Sequence, residues 1–288
     1  MKRLAIAIPS RNEKFLQRTI QDVLEKATGE VEVYPILDGY EPPPEELVDD
    51  IRVHYIRLPQ KSYTQKRHGI NHMVNICKSN YVMSLDAHCM MAKGFDEVLI
   101  KDLADNEVAL PRRQRLDAEN WCIQIQSDGR PPIDYEYLMY PAKFDPPGFH
   151  GFKWDDRTYE RWDTKVDETI TMQASCWVMH KSWYNKNNFM QIEGYTGWGQ
   201  EAEELSFTTW CRGGRLITNK NTWYAHLHKG KTYGRMYFMS KATTKKCNAY
   251  AYDFWVNNRL KNKVHNFEWL LERFSPMPNW PERDKWKL

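Results

Sequence analysis

Short apolar runs alternate with amphipathic segments over the first third of the chain. Four runs have the length and composition of buried strands: Leu4–Ile8, Val31–Leu37, Val53–Leu58 and Tyr81–Leu85. Two segments between them have helical spacing, one carrying Phe15, Ile20, Val23 and Leu24 and the other running from Thr64 to Cys77. The successive prolines of Glu41–Glu46 predict a loop. This β-α-β-β-α-β order predicts an α/β fold, a Rossmann-like and mostly parallel sheet flanked by helices.

The alternation of apolar runs and amphipathic segments is weaker after His88. Further elements are predicted as a strand at Val108–Leu110 with a basic loop at Pro111–Arg115, a strand at Thr169–Met179, a helix at Ala202–Cys211, short strands at Leu216–Ile217 and Thr222–His226, and helical structure from Ser240 to Trp269. Residues 129–163 show little periodicity and are interpreted as a long excursion from the core that carries specificity. We therefore expect a main domain over 1–235 and a basic, aromatic, helical C-terminal extension over 236–288.

Composition excludes several classes of protein. The chain has 288 residues, of which 41% are hydrophobic and 27% charged, as in an ordinary globular protein. Its six cysteines are scattered without a CxxC pair, which favours reduced thiols in the cytosol over a disulfide framework or a zinc site. The apolar run Leu4–Ile8 is too short for a signal peptide, and no stretch reaches the ~20 apolar residues of a membrane helix.

Positive charge is concentrated near the C-terminus. The chain carries a net charge of +3, whereas residues 240–288 alone contain ten Lys and Arg against five Asp and Glu, a net +5. Such a segment can attract a nucleic acid, an anionic surface or an acidic glycan, and it can also be an ordinary solvated helix face.

Polar residues follow the predicted strands at their carboxyl ends, where open α/β sheets bind ligands. Ser10–Glu13 follow the first strand, Asp38 follows the second, and Asp86 with His88 follow the fourth. Asp86 and His88 are two positions apart, so an extended chain points both side chains to one face. A carboxylate and an imidazole so placed can hold a divalent cation with positions left for a phosphate; the alternative is a turn cap and a surface histidine.

Three ordered blocks resemble a known family. They are Ile8-Pro9-Ser10-Arg11-Asn12-Glu13, Ser84-Leu85-Asp86-Ala87-His88-Cys89, and the segment from Trp198 to Trp210, followed by Thr222-Trp223-Tyr224-Ala225-His226. The N-terminal half resembles a GT-A glycosyltransferase of the family 2 type, and these blocks are similar to those of the polypeptide N-acetylgalactosaminyltransferases. The likeness covers roughly residues 4 to 230 and implies the GT-A fold and a nucleotide-sugar-dependent transferase.

The resemblance also implies roles for individual residues. Nucleotide-sugar contacts fall on Ser10, Asn12, Glu13, Asp38, Lys66, Arg67 and Asp86, and catalytic roles fall on Trp198 and on Glu201, which would hold sugar hydroxyls. Metal ligands fall on Asp86, His88 and His226, with His228 as the rival third ligand. Mixed oxygen and nitrogen ligation suits Mn²⁺ better than Ca²⁺. Ser10, Asn12 and Glu13 can also cap the following helix, and Lys66 and Arg67 can lie on an exposed first helical turn.

The chain departs from the family pattern in several places. Gln200 replaces the second Gly of the Trp-Gly-Gly block, and no lectin domain, signal anchor or luminal cysteine pattern is recognisable. We therefore expect a compact cytoplasmic relative from a bacterium or one of its viruses, and the resemblance does not identify the acceptor.

Position 202 bears on the mechanism. Inverting relatives commonly place an Asp there as the base that activates the acceptor hydroxyl, whereas this chain has Ala202, which cannot accept a proton. This favours a retaining transfer, and the alternative is an inverting transfer with Glu203 as a displaced base.

The sequence thus predicts a metal-dependent transfer of a hexose or N-acetylhexosamine from a UDP-sugar to an acceptor hydroxyl. The excursion favours a polymeric acceptor, such as modified DNA, a protein or a glycan. The alternatives are a nucleotidyltransferase, against which the Gly-free Ile8–Glu13 turn counts, and a non-catalytic module that binds sugar or nucleic acid through Tyr135–Trp162.

Overall fold

The computed structural model describes residues 4–125, 129–234 and 239–288. The strands are, in chain order, β1 (Leu4–Ser10), β2 (Val31–Asp38), β3 (Ile56–Leu58), β4 (Tyr81–Leu85), β5 (Cys89–Met91), β6 (Glu107–Asp117), β7 (Cys122–Ile123), β8 (Glu136–Leu138), β9 (Gly151–Lys153), β10 (Val166–Glu168), β11 (Cys176–His180) and β12 (Arg215–His226).

The helices cover both faces of the sheet and extend to the C-terminus. They are α1 (Leu16–Lys26), α2 (Lys66–Ile76), α3 (Phe95–Ile100), α4 (Asp155–Glu160), α5 (Lys181–Asn187), α6 (Glu201–Cys211), α7 (Gly230–Tyr233), α8 (Lys241–Val256) and α9 (Phe267–Arg273), with 3-10 turns at Pro44–Glu46, Pro141–Lys143 and Arg283–Lys285. Across the described ranges, no helix combines the length and the apolar character that crossing a bilayer requires.

One mixed sheet organises the molecule, with the strand order β10-β12-β6-β11-β4-β1-β2-β3. Strand β1 pairs in parallel with both β2 and β4, and β2 pairs in parallel with β3. Strand β11 lies antiparallel between β4 and β6, and β6 runs parallel to β12. The parallel N-terminal half confirms the predicted α/β fold and brings the carboxyl ends of β1, β2 and β4 to one edge.

Strand β1 shows how the sheet is stabilised from both sides. Ala5 and Ala7 belong to one apolar cluster, whereas Leu4, Ile6 and Ile8 belong to another on the opposite face. Successive side chains of a strand point to opposite faces, so a continuously apolar strand is buried on both. This explains why the runs Leu4–Ile8, Val31–Leu37 and Tyr81–Leu85 predicted buried strands correctly. The run Val53–Leu58 forms a strand only at Ile56–Leu58, where Ile56 alone is buried.

Several predicted elements need correction. The basic loop predicted at Pro111–Arg115 belongs to β6, and the two short strands near 216–226 are one strand, β12, with an irregularity between Asn219 and Trp223. Of the strand predicted at Thr169–Met179, only the part from Cys176 onward is a strand, β11, and β10 ends just before the predicted range. The predicted C-terminal helical region is interrupted between α8 and α9. The proline-rich loop contains a 3-10 turn at Pro44–Glu46. Tertiary pairing decides these boundaries, so local pattern did not reveal them.

The segment predicted as an excursion contributes to the core. Its strands β8 and β9 form an antiparallel pair, and Leu138 and Phe149 join the larger apolar cluster. Trp255, Phe267 and Leu271 of the C-terminal helices belong to the same cluster. The predicted boundary between residues 235 and 236 lies outside the described residues, and the division into two domains stays a prediction.

Candidate active site

A cavity of about 600 Å³ opens at the carboxyl ends of the parallel strands. It gathers most of the residues that the sequence singled out: Ser10, Glu13, Asp38, Lys66, Asp86, His88, Trp198, Glu201, Glu203, His226 and His228. Asn12 and Arg67 do not line it. The cavity is also lined by residues that the sequence analysis did not select, among them Arg11, Glu136, His150 and Gln173.

Asp86, His88 and His226 form a candidate metal site. One ligand atom from each lies within 4.8 Å of the others, and His228 is not part of this group. Asp86 follows β4 and is fixed by its backbone N–H, which donates to the carbonyl of Ser175 at 2.8 Å. His226 is the last residue of β12 and pairs with Cys89 of β5, which brings it beside His88. The sheet therefore assembles ligands that are far apart in sequence.

The charges of this group suit a cation. Burial alone would raise the pKa of Asp86, but Lys66, His226 and His88 hold it well below its ordinary value, so the carboxylate is ionised. Its Oδ1 lies 3.1 Å from Lys66 Nζ and its Oδ2 lies 3.4 Å from His226 Nε2. Burial lowers the pKa of His226 to about 3, and neither of its ring nitrogens has a hydrogen-bond partner among the described residues. A carboxylate oxygen and neutral imidazole nitrogens are a donor set that fits a divalent transition metal.

Glu13 lies behind His88. Its Oε2 is 3.1 Å from His88 Nδ1, and Lys229 binds its other oxygen. Burial would raise the pKa of Glu13, but His88 and Lys229 lower it below its ordinary value. An imidazole that donates from Nδ1 to a carboxylate keeps its Nε2 lone pair for a metal. The structure places the carboxylate of Glu13 beside His88, where it would orient a metal ligand, and the predicted contact of Glu13 with the nucleotide stays a prediction.

Lys66 connects the candidate metal site to helix α6. Its Nζ lies 3.0 Å from Oε1 of Glu201 and 3.1 Å from Oδ1 of Asp86, and it donates to the carbonyl of Ala174 at 3.3 Å. Burial would lower the pKa of Lys66, but the two carboxylates raise it above its ordinary value, so the ammonium stays charged. Burial also raises the pKa of Glu201 in spite of Lys66 and Arg67. The cavity thus contains a fixed positive charge beside the candidate metal ligands.

Arg67 points away from the cavity. Its guanidinium forms a buried ion pair with Glu204 and donates to the carbonyls of Gln191 at 3.1 Å and Gly199 at 2.9 Å. Consecutive helical residues point ~100° apart, so Lys66 and Arg67 cannot both face a nucleotide in the cavity. The contacts of Arg67 favour a structural role over the predicted contact with the nucleotide.

The predicted nucleotide residues at the ends of β1 and β2 occupy different surroundings. Asp38 accepts hydrogen bonds from the backbone N–H of Gln65 at 2.8 Å and from its Nε2 at 2.9 Å, which order the loop before α2. Ser10 is buried in the cavity wall, and its Oγ has no hydrogen-bond partner among the described residues. Asn12 adopts a left-handed conformation with φ 53° and is exposed to solvent. Ser10 and Asp38 therefore lie in the cavity, whereas Asn12 serves the turn.

The cavity residues that the sequence analysis missed come from segments whose sequences show little periodicity. His150 and Glu136 lie in the excursion, and Gln173 lies between β10 and β11. None of these segments has a periodic pattern that would indicate which side chains face a ligand. Arg11 offered a signal, because it stands in the Ile8–Glu13 turn, and its Nη1 lies 3.7 Å from Asp38.

Comparison with known proteins identifies the family of this chain. The sequence model of the family described as Glycosyl transferase family 2 matches residues 5–187. The chain belongs to this family, which confirms the enzyme class predicted from the sequence at the level of the family. No curated protein matches the chain.

Solved structures agree on the fold. The crystal structure of GalNAc-T7 with UDP, GalNAc and Mn²⁺ matches with a TM-score of 0.66 at 17% identity, over 88% of this chain and 49% of that chain. TarS of S. aureus matches with a TM-score of 0.50 at 12% identity, over 79% of this chain and 37% of that one. This chain thus spans about half the length of the GalNAc-T7 chain. The likeness confirms the predicted GT-A fold and the resemblance to the N-acetylgalactosaminyltransferases.

Proposed function

We propose that this protein is a metal-dependent glycosyltransferase that moves a hexose or N-acetylhexosamine from a UDP-sugar to an acceptor hydroxyl. The observation that carries the proposal is the group formed by Asp86, His88 and His226 beside Lys66, in the cavity of about 600 Å³ at the strand ends. The structure of GalNAc-T7 contains UDP, GalNAc and Mn²⁺, which supports a UDP-sugar and a divalent metal as the ligands of this cavity.

Each residue of the site has a separate role in the proposed transfer. Asp86, His88 and His226 would hold the metal, which we propose to be Mn²⁺, and the bound metal would offset charge that develops on the departing diphosphate. Lys66 adds a fixed ammonium beside Asp86, and Glu13 keeps His88 in the orientation that binding needs. Glu201, held by Lys66 in the cavity wall, would bind hydroxyl groups of the transferred sugar.

The steric course depends on how the acceptor is activated. Ala202 supports the retaining course expected from the sequence, because it removes the base of the inverting pattern. Glu203 supports inversion, because it places another carboxylate in the cavity wall. Proton NMR of the product from an α-linked UDP-sugar separates the two, since the coupling at the anomeric proton distinguishes an α-linked from a β-linked product for gluco- and galacto-configured sugars.

We extend the proposal to a polymeric acceptor, with modified DNA as one candidate. Thr244 and Asn248 of α8 line the cavity, and α8 belongs to the basic segment 240–288. If the acceptor is DNA, affinity for duplex DNA should fall steeply with salt, as counterion release requires. A lack of binding at low salt would remove nucleic acid from consideration.

UDP release tests the proposed function. Wild-type protein incubated with Mn²⁺ and each of UDP-glucose, UDP-galactose, UDP-GlcNAc and UDP-GalNAc should release UDP with at least one of them, and chelation of the metal should stop the release. Asp86→Ala should abolish release and keep the wild-type circular dichroism spectrum, because Asp86 lies at a strand end outside the apolar clusters. A nucleotidyltransferase would instead need a sugar phosphate and UTP. Absence of release with every donor would reject the transferase.

A further inference from the structure

Three buried glutamates occupy the first turn of α6, and two of them have a cationic partner. Glu201 lies 3.0 Å from Lys66, and Glu204 pairs with Arg67. Glu203 is only 7% exposed, and its Oε1 accepts a hydrogen bond from the backbone N–H of Gly151 at 3.2 Å. It forms no ion pair with any side chain in the described ranges. Burial of a carboxylate without a cation costs folding free energy, so its presence calls for a functional explanation.

The other carboxylates of the cavity wall are all bound by a polar or cationic side chain. Those partners, for the described lining residues, are His88 and Lys229 for Glu13, Gln65 for Asp38, Lys66 for Asp86 and Glu201, and Arg113 for Glu136. Glu203 lines the same cavity without a partner of that kind. It is therefore the carboxylate of this wall that remains free to exchange a proton with a bound substrate.

We infer that Glu203 is the general base that accepts the proton of the acceptor hydroxyl, an inference that rests on the proposed sugar transfer. The acceptor oxygen forms a bond to the anomeric carbon while the bond from that carbon to the diphosphate oxygen breaks. The electrons of the broken bond leave with UDP, and the hydroxyl proton moves to Glu203 and later to water. Attack occurs on the face opposite the departing UDP, so an α-linked donor gives a β-linked product.

The surroundings of Glu203 suit this role. Burial, together with the negative charges of Glu136 and Glu201, raises its pKa to about 7, although the backbone N–H groups of Gly151 and of Glu203 itself oppose the shift. Glu136 is in turn bound by Arg113 and Glu201 by Lys66. A carboxylate whose pKa lies near neutral pH is both sufficiently ionised and sufficiently basic for proton abstraction. Glu203 follows Ala202 in α6 and lines the same cavity, but consecutive helical residues point ~100° apart, so its carboxylate would meet the acceptor from a different direction than a carboxylate at position 202.

The variant Glu203→Gln tests the inference, because it keeps the shape of the side chain and an oxygen for Gly151 but cannot accept the proton. Transfer from an α-linked UDP-sugar to methanol, which serves as a surrogate hydroxyl acceptor, would be followed by UDP release with Mn²⁺. We expect kcat to fall on the order of 10²- to 10⁴-fold, while calorimetry finds the wild-type affinity for UDP with Mn²⁺. In the wild type kcat should rise with pH through neutrality, and the variant should lose this rise.

Glu204→Gln is the matched control, since it removes the neighbouring glutamate that has a cationic partner. It should keep the pH dependence of kcat even if the protein is less stable. A β-linked methyl glycoside from the wild type supports the inference. An α-linked product, or wild-type kcat and pH dependence in Glu203→Gln, overturns it and leaves the transferase proposal standing. A wild-type protein that releases no UDP from any donor overturns the proposed function itself.

Discussion

Replacement of Glu203 by Gln should stabilise the folded protein above neutral pH. In the wild type, the buried carboxyl has a pKa raised from 4.5 to about 7. Between these two values the folded state binds more protons than the unfolded state, so the free energy of unfolding decreases as the pH rises through this window. Gln carries no charge in either state and therefore shows no such decrease.

The magnitude follows from the size of the shift. One pKa unit corresponds to about 1.4 kcal/mol. The shift of Glu203 from 4.5 to about 7 therefore corresponds to a loss of about 3 kcal/mol of unfolding free energy once the carboxyl is fully ionised. Below the unfolded-state value both states are protonated, and this contribution vanishes. The gain in unfolding free energy expected for Glu203→Gln is thus negligible below the unfolded-state pKa of the carboxyl and largest above its folded-state pKa.

Urea unfolding of both proteins between about pH 5 and about pH 8 measures this difference. The difference in unfolding free energy between wild type and variant isolates the contribution of Glu203. The contributions of unrelated titrating groups appear in both proteins and cancel. Glu160→Gln, which replaces an exposed glutamate of α4, is the control and should give a pH-independent difference. If the difference between wild type and Glu203→Gln also stays constant over this range, the carboxyl titrates normally and the reasoning about its burial is refuted.

Three further predictions concern other parts of the site and its support. Arg67→Met should destabilise the protein by about 3–5 kcal/mol in urea unfolding, because it leaves Glu204 buried without its partner; a loss below about 1 kcal/mol would contradict this. Gly69→Ala should lower the unfolding free energy by about 1–3 kcal/mol and lower the melting temperature, because the added Cβ would overlap the side chain of Ile36. An unchanged melting temperature would show that Ile36 can move aside without loss of stability. His226→Ala should weaken Mn²⁺ binding in calorimetry whereas His228→Ala should not, because only His226 belongs to the ligand group; equal effects would reject this choice of ligand.

The local pattern of apolar residues sufficed to predict elements whose buried positions recur regularly along the sequence. The runs that predicted β1, β2 and β4 are apolar on both faces, and the spacing that predicted α1 and α2 reflects one buried side of each helix. Asp86, His88 and His226 were also indicated by sequence, because the first two follow a recognisable strand and the third belongs to a block with family-like spacing. The sheet then brings the three within 4.8 Å of one another.

The sequence by itself determined the class of fold, the family and the candidate metal ligands, because these depend on periodicity and on short blocks. Only the tertiary structure decided that Glu13 supports His88 and that Arg67 turns to Glu204. It also decided that Glu203 has no cationic partner among the residues that the structure describes. Residues adjacent in sequence cannot reveal which glutamate has a cationic partner, because the charge state of a carboxylate depends on groups brought near it from distant segments. Glu203 acquires its properties from Gly151 and Glu136, which lie more than fifty residues earlier in the chain.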